Sequence, residues 1–404
     1  MGIAKRMMEE EEGRGYRTNY GKTVCVNCFE EYGLKEFIAE HRTQTQCSYC
    51  KGSKKVKACE LDLLIGHILV SLRREWGHPA DEGLPYESRE GGWQFSTVYD
   101  TWELLDKIGI ENRHGDVYDD ICRSILNQEW CERDPYSLSL DQTLLYAWQK
   151  FSDFVLNHSR FLFFKVKNRN YDDHQHDEID PVQILDHLGN IFNNIGLVKE
   201  IGSDTSIYRV RIVELDEILS SAKELGSPPN DLATISNRMS PSGIPMFYGA
   251  FEIETAIKET YESCEESKKA FVGIFNPVRP LKVIDLADNI YIPSIFDHRN
   301  SSKRDHMSFL LDFIADFTKP IDRKDRAHID YVPTQIVTEY IRHIFECSNG
   351  DRIDGVVYPS SKNDGNRAIV IFASSEQCVD VDEPFSENAL LKLVGTDSII
   401  VKGA

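Results

Sequence analysis

Four cysteines in two C-x-x-C pairs, Cys25 with Cys28 and Cys47 with Cys50, constrain this chain more tightly than any other feature. Eighteen residues separate the pairs. A C-x-x-C turn aims two thiolates at one point, and two such turns complete the tetrahedral shell of one zinc ion. The spacing predicts a small structural zinc module with four cysteine ligands over residues 1–57, with a short helix over residues 29–41 between the knuckles. Four thiolates leave no open coordination position, so this metal is not read as catalytic. The other six cysteines are scattered, without the pattern of a disulfide framework. Residues 1–20 are polar and carry the run Glu9-Glu10-Glu11-Glu12, which reads as a frayed lead-in.

A chain of 404 residues has room for two or three domains. Its 41% hydrophobic and 28% charged residues are those of a soluble globular protein. No run reaches the roughly 18 apolar residues of a membrane span. The first fifteen residues lack the apolar core of a signal peptide, and Met1-Gly2 is not followed by the serine or threonine of a myristoylation site. A cytoplasmic protein without membrane contact is expected. The net charge of −20 argues against non-specific nucleic-acid binding, which depends on neutralising phosphates. It leaves room for a local basic pocket, because one anion needs only two or three cations.

Residues 58–197 read as a helical domain. Apolar residues recur at helical spacing over 60–76, 95–105, 117–130, 138–156 and 181–195, and the Gly/Pro/Glu-rich stretch 77–92 reads as a loop. All five tryptophans lie between Trp76 and Trp148, where they fit a core. From residue 198 the pattern turns to strands, giving a mixed α+β domain over 198–390 and a tail or edge strand over 391–404. In the strand 207–213, Tyr208, Val210 and Ile212 share one face, with Arg209 and Arg211 on the other. Two arginines on one strand face suit either solvent or an anion. In the stretch 237–259, Arg238 precedes the turn Ser240-Pro241-Ser242-Gly243, a short strand through Tyr248 ends near Gly249, and helical spacing follows from Glu252. This places a cation, an aromatic ring and the carboxylate of Glu259 on one strand-turn-helix unit. Such a set suits a dinucleotide: a guanidinium for pyrophosphate, a ring for a base, an acid for a ribose. Further strands are expected over 270–275, 281–286, 355–358 and 368–372, with two helices between residues 287 and 350.

Arg238, Tyr248 and Glu259 resemble the RES domain, a family of bacterial proteins named for arginine, glutamate and serine. SIYRVRIVE over residues 206–214 is similar to that family's first strand, with Arg209 at its arginine. DGVVYPSSKNDGNRAIVIF over residues 354–372 is similar to the segment bearing the serine, here Ser360, and an asparagine, here Asn366. The likeness covers roughly residues 198 to 385. It departs where the family's Gly-Arg-Trp-Asn run stands here as Asn237-Arg238-Met239-Ser240. The cysteine-rich start and the helices resemble the HEPN-like N-terminal domain fused to some RES domains.

The resemblance implies a fold similar to ADP-ribosyltransferase toxins, and a toxin or defence effector that breaks NAD at its nicotinamide–ribose bond. It implies Glu259 facing the developing oxocarbenium charge, Tyr248 stacking on nicotinamide, Arg238 and Arg209 on the pyrophosphate, Ser360 bonding the substrate, and Asn366 steadying its loop. The implied partners are NAD and an antitoxin or regulatory protein, while pairing with a second copy of the chain stays open. The N-terminal half would then regulate, and a fragment from near Gly196 would carry the activity alone. Three readings stay open beside it. One is ADP-ribosyl transfer to a macromolecule, and one a non-catalytic nucleotide-binding module. The third is a HEPN-like ribonuclease using Arg73 with His78 or Arg169 with His174; the loop around the latter also offers His174 and His176 to a divalent ion. The chain holds no G-x-x-x-x-G-K-[ST], G-x-G-x-x-G, G-x-S-x-G or H-E-x-x-H motif.

Overall fold

A computed structural model of the chain describes residues 3–50, 55–110, 112–113, 115–165, 179–261, 267–320, 326–363, 365–382 and 387–401. The chain forms two compact units, Met1–Ser139 with Ile292–Asp305, and Leu140–Tyr291 with His306–Ala404. Among the described residues no helix is long and apolar enough to cross a membrane.

In the first unit the expected lead-in is a helix, Ile3–Arg14. Its acidic run lies one turn after two cations, so Lys5 pairs with Glu9 and Arg6 with Glu10 along an exposed face. The helix expected between the cysteine pairs is Tyr32–Glu40. The long helix Leu61–Glu75 buries Leu61, Leu64, Ile65, Ile68 and Leu72 at helical spacing. These pack with Cys25, Cys28, Phe29, Leu34, Leu104, Ile121 and Trp130, so the cysteine module and the helices share one core. The helix expected over 117–130 stops at Ser124, and Trp130 lies in the strand Glu129–Glu132. Its buried indole N–H finds an acceptor there in Thr101 Oγ1 at 3.1 Å. The helix expected over 95–105 starts only at Thr101, where Asp100 and Glu103 form a capping box. Residues 292–305 belong to this unit through Ile295 and Phe296, both buried in its core. Gly33 admits that segment, because a Cβ there would stand 2.8 Å from the Phe296 carbonyl carbon and 2.9 Å from Asp297 N.

The second unit is built on a mixed sheet. Among the described residues its strands are β1 (Val198–Ile201), β2 (Ile207–Val213), β3 (Phe247–Ala250), β4 (Lys268–Pro277), β5 (Leu281–Asp285), β6 (Gly355–Pro359), β7 (Arg367–Ile371), β8 (Cys378–Asp380) and β9 (Leu391–Val401). Their order is β8-β9-β4-β2-β3-β7-β6-β5-β1; the pairs β5/β6 and β8/β9 are parallel and the others antiparallel. The C-terminal stretch is a full strand, since β9 pairs with β4 from Leu391 to Val401. The longer helices among the described residues are α1 (Leu140–Asn157), α2 (Ile184–Ile195), α3 (Ile253–Thr260), α4 (Arg304–Thr318) and α5 (Val332–His343). Trp148, Phe151, Phe192, Phe309, Phe313 and Phe317 from these helices form one core with Ile284, Val356 and Val370 of the sheet. Trp148 also donates its indole N–H to Asp316 Oδ2 at 2.8 Å. Thus α1 and α2, expected in a helical domain ending at residue 197, pack into the core of the sheet unit. The apolar faces that made them read as helices are the faces they bury there.

Candidate active site

The sheet of the second unit splits between β2 and β3. Strand β2 pairs with β4 along its whole length, but with β3 only at Tyr208 opposite Ala250. Gly249 lets the two strands converge at that point. A Cβ there would lie 2.8 Å from Ile207 Cγ2 and 3.0 Å from the Tyr208 carbonyl oxygen. Beyond it a cleft of about 610 Å³ opens, lined by residues 208–213, Arg238, Tyr248, Glu259, Tyr331, Tyr358 and Lys362 among others. That volume is in the range of small-molecule sites.

Glu259 reaches the cleft from the last turn of α3, whose Ala256 is buried with Val210, Ala250 and Val272. The loop between β6 and β7 holds it there. Ser360 is buried, and its hydroxyl donates to Glu259 Oε1 at 2.5 Å. The same Oγ accepts from the backbone N–H groups of Lys362 and Asn363 at 3.3 and 3.1 Å. Lys362 Nζ donates to the Glu259 carbonyl at 3.3 Å, and Asn363 bonds both Thr255 and Lys258 of α3. The Asn366 carbonyl closes the loop by accepting from Ser360 N–H at 2.9 Å. With its side-chain amide oriented to satisfy both ends, Asn366 donates to Glu252 Oε2 at 2.6 Å and accepts from Asn363 at 3.0 Å. The Ser360 hydroxyl thus donates its hydrogen bond to the Glu259 carboxylate.

Tyr248 lines the cleft and ties its hydroxyl to Ser240 Oγ at 2.9 Å. Burial pushes its phenol up to about 12, against the opposing pull of that hydrogen bond. The departure Met239-Ser240 from the family's run is thus accommodated: Met239 is buried in the core and Ser240 orients the tyrosine. Helix α5 fixes this turn. Thr334 donates to the Arg238 carbonyl, and Gln335 to the carbonyls of Asn237 and Ser240.

Arg238 lines the cleft, but two of its N–H groups donate to the carbonyls of Phe317 and Lys319, at 2.6 and 2.7 Å, where α4 ends. Its guanidinium also lies 5.5 Å from the centre of the Tyr331 ring. Arg209 donates to the Tyr248 carbonyl at 2.9 Å and stands over Phe247, while its buried Nε has no partner among the described residues. Burial pushes this guanidinium down to about 10. A buried cation with an unused donor suits an anionic ligand. Arg209, Arg238, Tyr248 and Glu259 meet at one cleft, with Ser360 and Asn366 directly behind Glu259. Sequence reasoning misses Lys362, Asn363, Thr334 and Gln335, which hold these groups in place from distant segments.

In the first unit the Sγ atoms of Cys25, Cys28, Cys47 and Cys50 all lie within 4.8 Å of one another, with contacts of 3.4–3.9 Å. A tetrahedral ion with metal–sulfur bonds of about 2.3 Å needs sulfurs about 3.8 Å apart, so the four fit a metal. The Cys47 sulfur also accepts from Tyr49 N–H at 3.5 Å. Elsewhere in this unit Arg73 lies in the last turn of the helix Leu61–Glu75, where its carbonyl accepts from Arg133 at 2.7 Å. His78 Nδ1 accepts from Ala80 N–H, and its ring stands edge-on to Trp93, a local packing role. Arg169, His174 and His176 lie outside the described residues.

The arginine, tyrosine and glutamate at the opening of the second unit's split mixed sheet fall within the match to the RES domain family, which covers residues 208–391. The chain is a RES-domain protein that also carries HEPN/RES N-terminal domain 1, over residues 40–169. No curated protein and no solved structure matches it significantly.

Proposed function

We propose that this protein breaks NAD at the nicotinamide–ribose bond, as a glycohydrolase or phosphorylase in which water or phosphate bonds to the ribose carbon as nicotinamide leaves, in the cleft between β2 and β3. The observation that carries this reading is the Glu259 carboxylate, fixed by Ser360 at a cleft whose other described charged side chains are cationic. Nicotinamide leaves as a neutral ring from a pyridinium, so no strong acid is needed to expel it. The work lies in stabilising the positive charge that grows on the ribose. Glu259 supplies a fixed anion beside it and an acceptor for ribose hydroxyls. Tyr248 stacks on the nicotinamide, and its tether to Ser240 keeps the ring's angle fixed. Arg209 takes the pyrophosphate with its unsatisfied Nε. Arg238, bound to the carbonyls of Phe317 and Lys319 at the end of α4, shapes that wall and adds positive charge to it. The four-cysteine centre holds zinc as a structural ion, in line with an all-thiolate shell. The first unit acts as the regulatory part of a toxin or defence effector.

The test is release of nicotinamide from NAD by the purified full chain and its Glu259→Gln variant. Glutamine keeps the shape and the bond to Ser360 but removes the charge. Turnover is expected to fall about a hundredfold or more, as for loss of one transition-state electrostatic contact. Undiminished NAD loss in a folded Glu259→Gln protein overturns the assignment.

A further inference from the structure

The cleft carries more positive charge than a pyrophosphate needs. Among the described residues five charged residues line it, and four are cations: Arg209, Arg211, Arg238 and Lys362. The chain as a whole has a net charge of −20, so this inversion is local. Three of the four cations are engaged. Arg209 donates to the Tyr248 carbonyl, Arg238 to those of Phe317 and Lys319, and Lys362 to that of Glu259. The Arg211 side chain makes no hydrogen bond or ion pair with any described residue. The Glu224 carboxylate acts on it only at a distance. Glu224 Oε2 is already taken by the N–H groups of Ser220 and Ser221 and the Ser221 hydroxyl.

The strand fixes where this guanidinium stands. Tyr208, Val210 and Ile212 pack on the side of β2 that meets α3. Arg209 and Arg211 therefore share the opposite side, about 7 Å apart along the strand. Arg209 has a buried Nε without a partner, so an anion next to it is the natural completion of that site. One ribose separates the pyrophosphate of a dinucleotide from a phosphate on its 2′ oxygen, a span of the same order. An arginine near that ribose is a known way to accept the extra phosphate.

We propose that Arg211 binds a second phosphate, so that the cleft takes a 2′-phosphorylated dinucleotide of the NADP type in preference to NAD. The inference rests on the reading of the cleft as a dinucleotide site, and adds the choice between the two. A planar guanidinium can grip a phosphate with two parallel bonds, a contact that NAD has no group to make.

The experiment is equilibrium binding of NADP and NAD to the full chain carrying Glu259→Gln, so that bound nucleotide is not consumed. Binding of NADP about tenfold or more tighter than NAD is expected, as for a charge-assisted bond gained. Adding Arg211→Gln should bring the ratio to within about twofold, with melting temperature checking the fold. Arg211→Lys should keep part of the preference, since a lysine offers the charge without the fork. Equal affinities, or a preference that survives Arg211→Gln, overturn this inference alone. Binding of neither dinucleotide overturns the parent reading and this inference with it.

Discussion

A carboxylate in the last turn of a helix faces the negative end of that helix's dipole, so Glu259 stands where an anion is poorly supported. Ser360 offsets this with a short hydrogen bond, and two backbone N–H groups polarise the serine in turn. Ser360→Ala should therefore leave the acid present but loosely placed. We expect turnover of NAD to fall about tenfold or more with little change in KM, the mark of a group acting through another. A rise in KM alone would instead mean that Ser360 touches substrate. Arg209, Tyr248 and Glu259, singled out by segment pattern together with resemblance to a family motif, line one cleft. Lys362 and Gln335 were not legible in the sequence, since the groups they serve, Glu259 and the turn at Asn237, lie far away along the chain. No local period encodes such a pairing. Ser360 was found by resemblance, but its bond to Glu259 joins residues 101 positions apart.

At the level of elements, the cleft exists because β2 and β3 touch once and then part. Gly249 adjoins that contact, and a methyl group there meets Ile207 and the Tyr208 carbonyl. Gly249→Ala should cost about 1–3 kcal/mol by overpacking. It should also weaken dinucleotide binding by shifting β3 and with it Tyr248; thermal melting and a binding titration read the two effects separately. The cysteine knuckles make another prediction. Cys25 and Cys28 belong to the core that contains Leu64 and Trp130. Cys28→Ser, or a strong chelator, should thus remove the metal and lower the melting temperature of the whole first unit, because binding and folding are coupled. A metal-free wild-type protein with unchanged melting would count against the centre. Periodicity located most helices of this chain, but it failed at Trp130. Apolar residues continue past Ser124 into a strand, and a short apolar run reads alike in either state. The helix Ile3–Arg14 escaped notice because its support is charge pairing on an exposed face.

Over the whole molecule, the two family segments and the two compact units do not coincide. Helix α1 lies within residues 40–169 of the N-terminal family, yet Trp148 and Phe151 are core residues of the sheet unit. Residues 292–305 lie within the RES segment, yet Phe296 is core in the first unit. A fragment from near Gly196, expected from sequence to act alone, would lack Trp148, Phe151, Leu188 and Phe192, all buried in the core between helices and sheet. Each lost large side chain costs several kcal/mol, against a total stability of about 5–15 kcal/mol. Such a fragment should be insoluble or molten by circular dichroism, whereas one starting at Leu140 should keep cooperative melting; equal melting of the two would refute this division. The exchange of segments also bears on how such a protein can be inherited. A single recombination join near residue 197 would separate each family from a piece of its own core. Grafting this N-terminal half onto another RES domain would require a recipient already shaped to receive α1 and able to supply a counterpart of Phe296. The two halves are therefore expected to descend together, diverging as one gene rather than being shuffled as interchangeable parts.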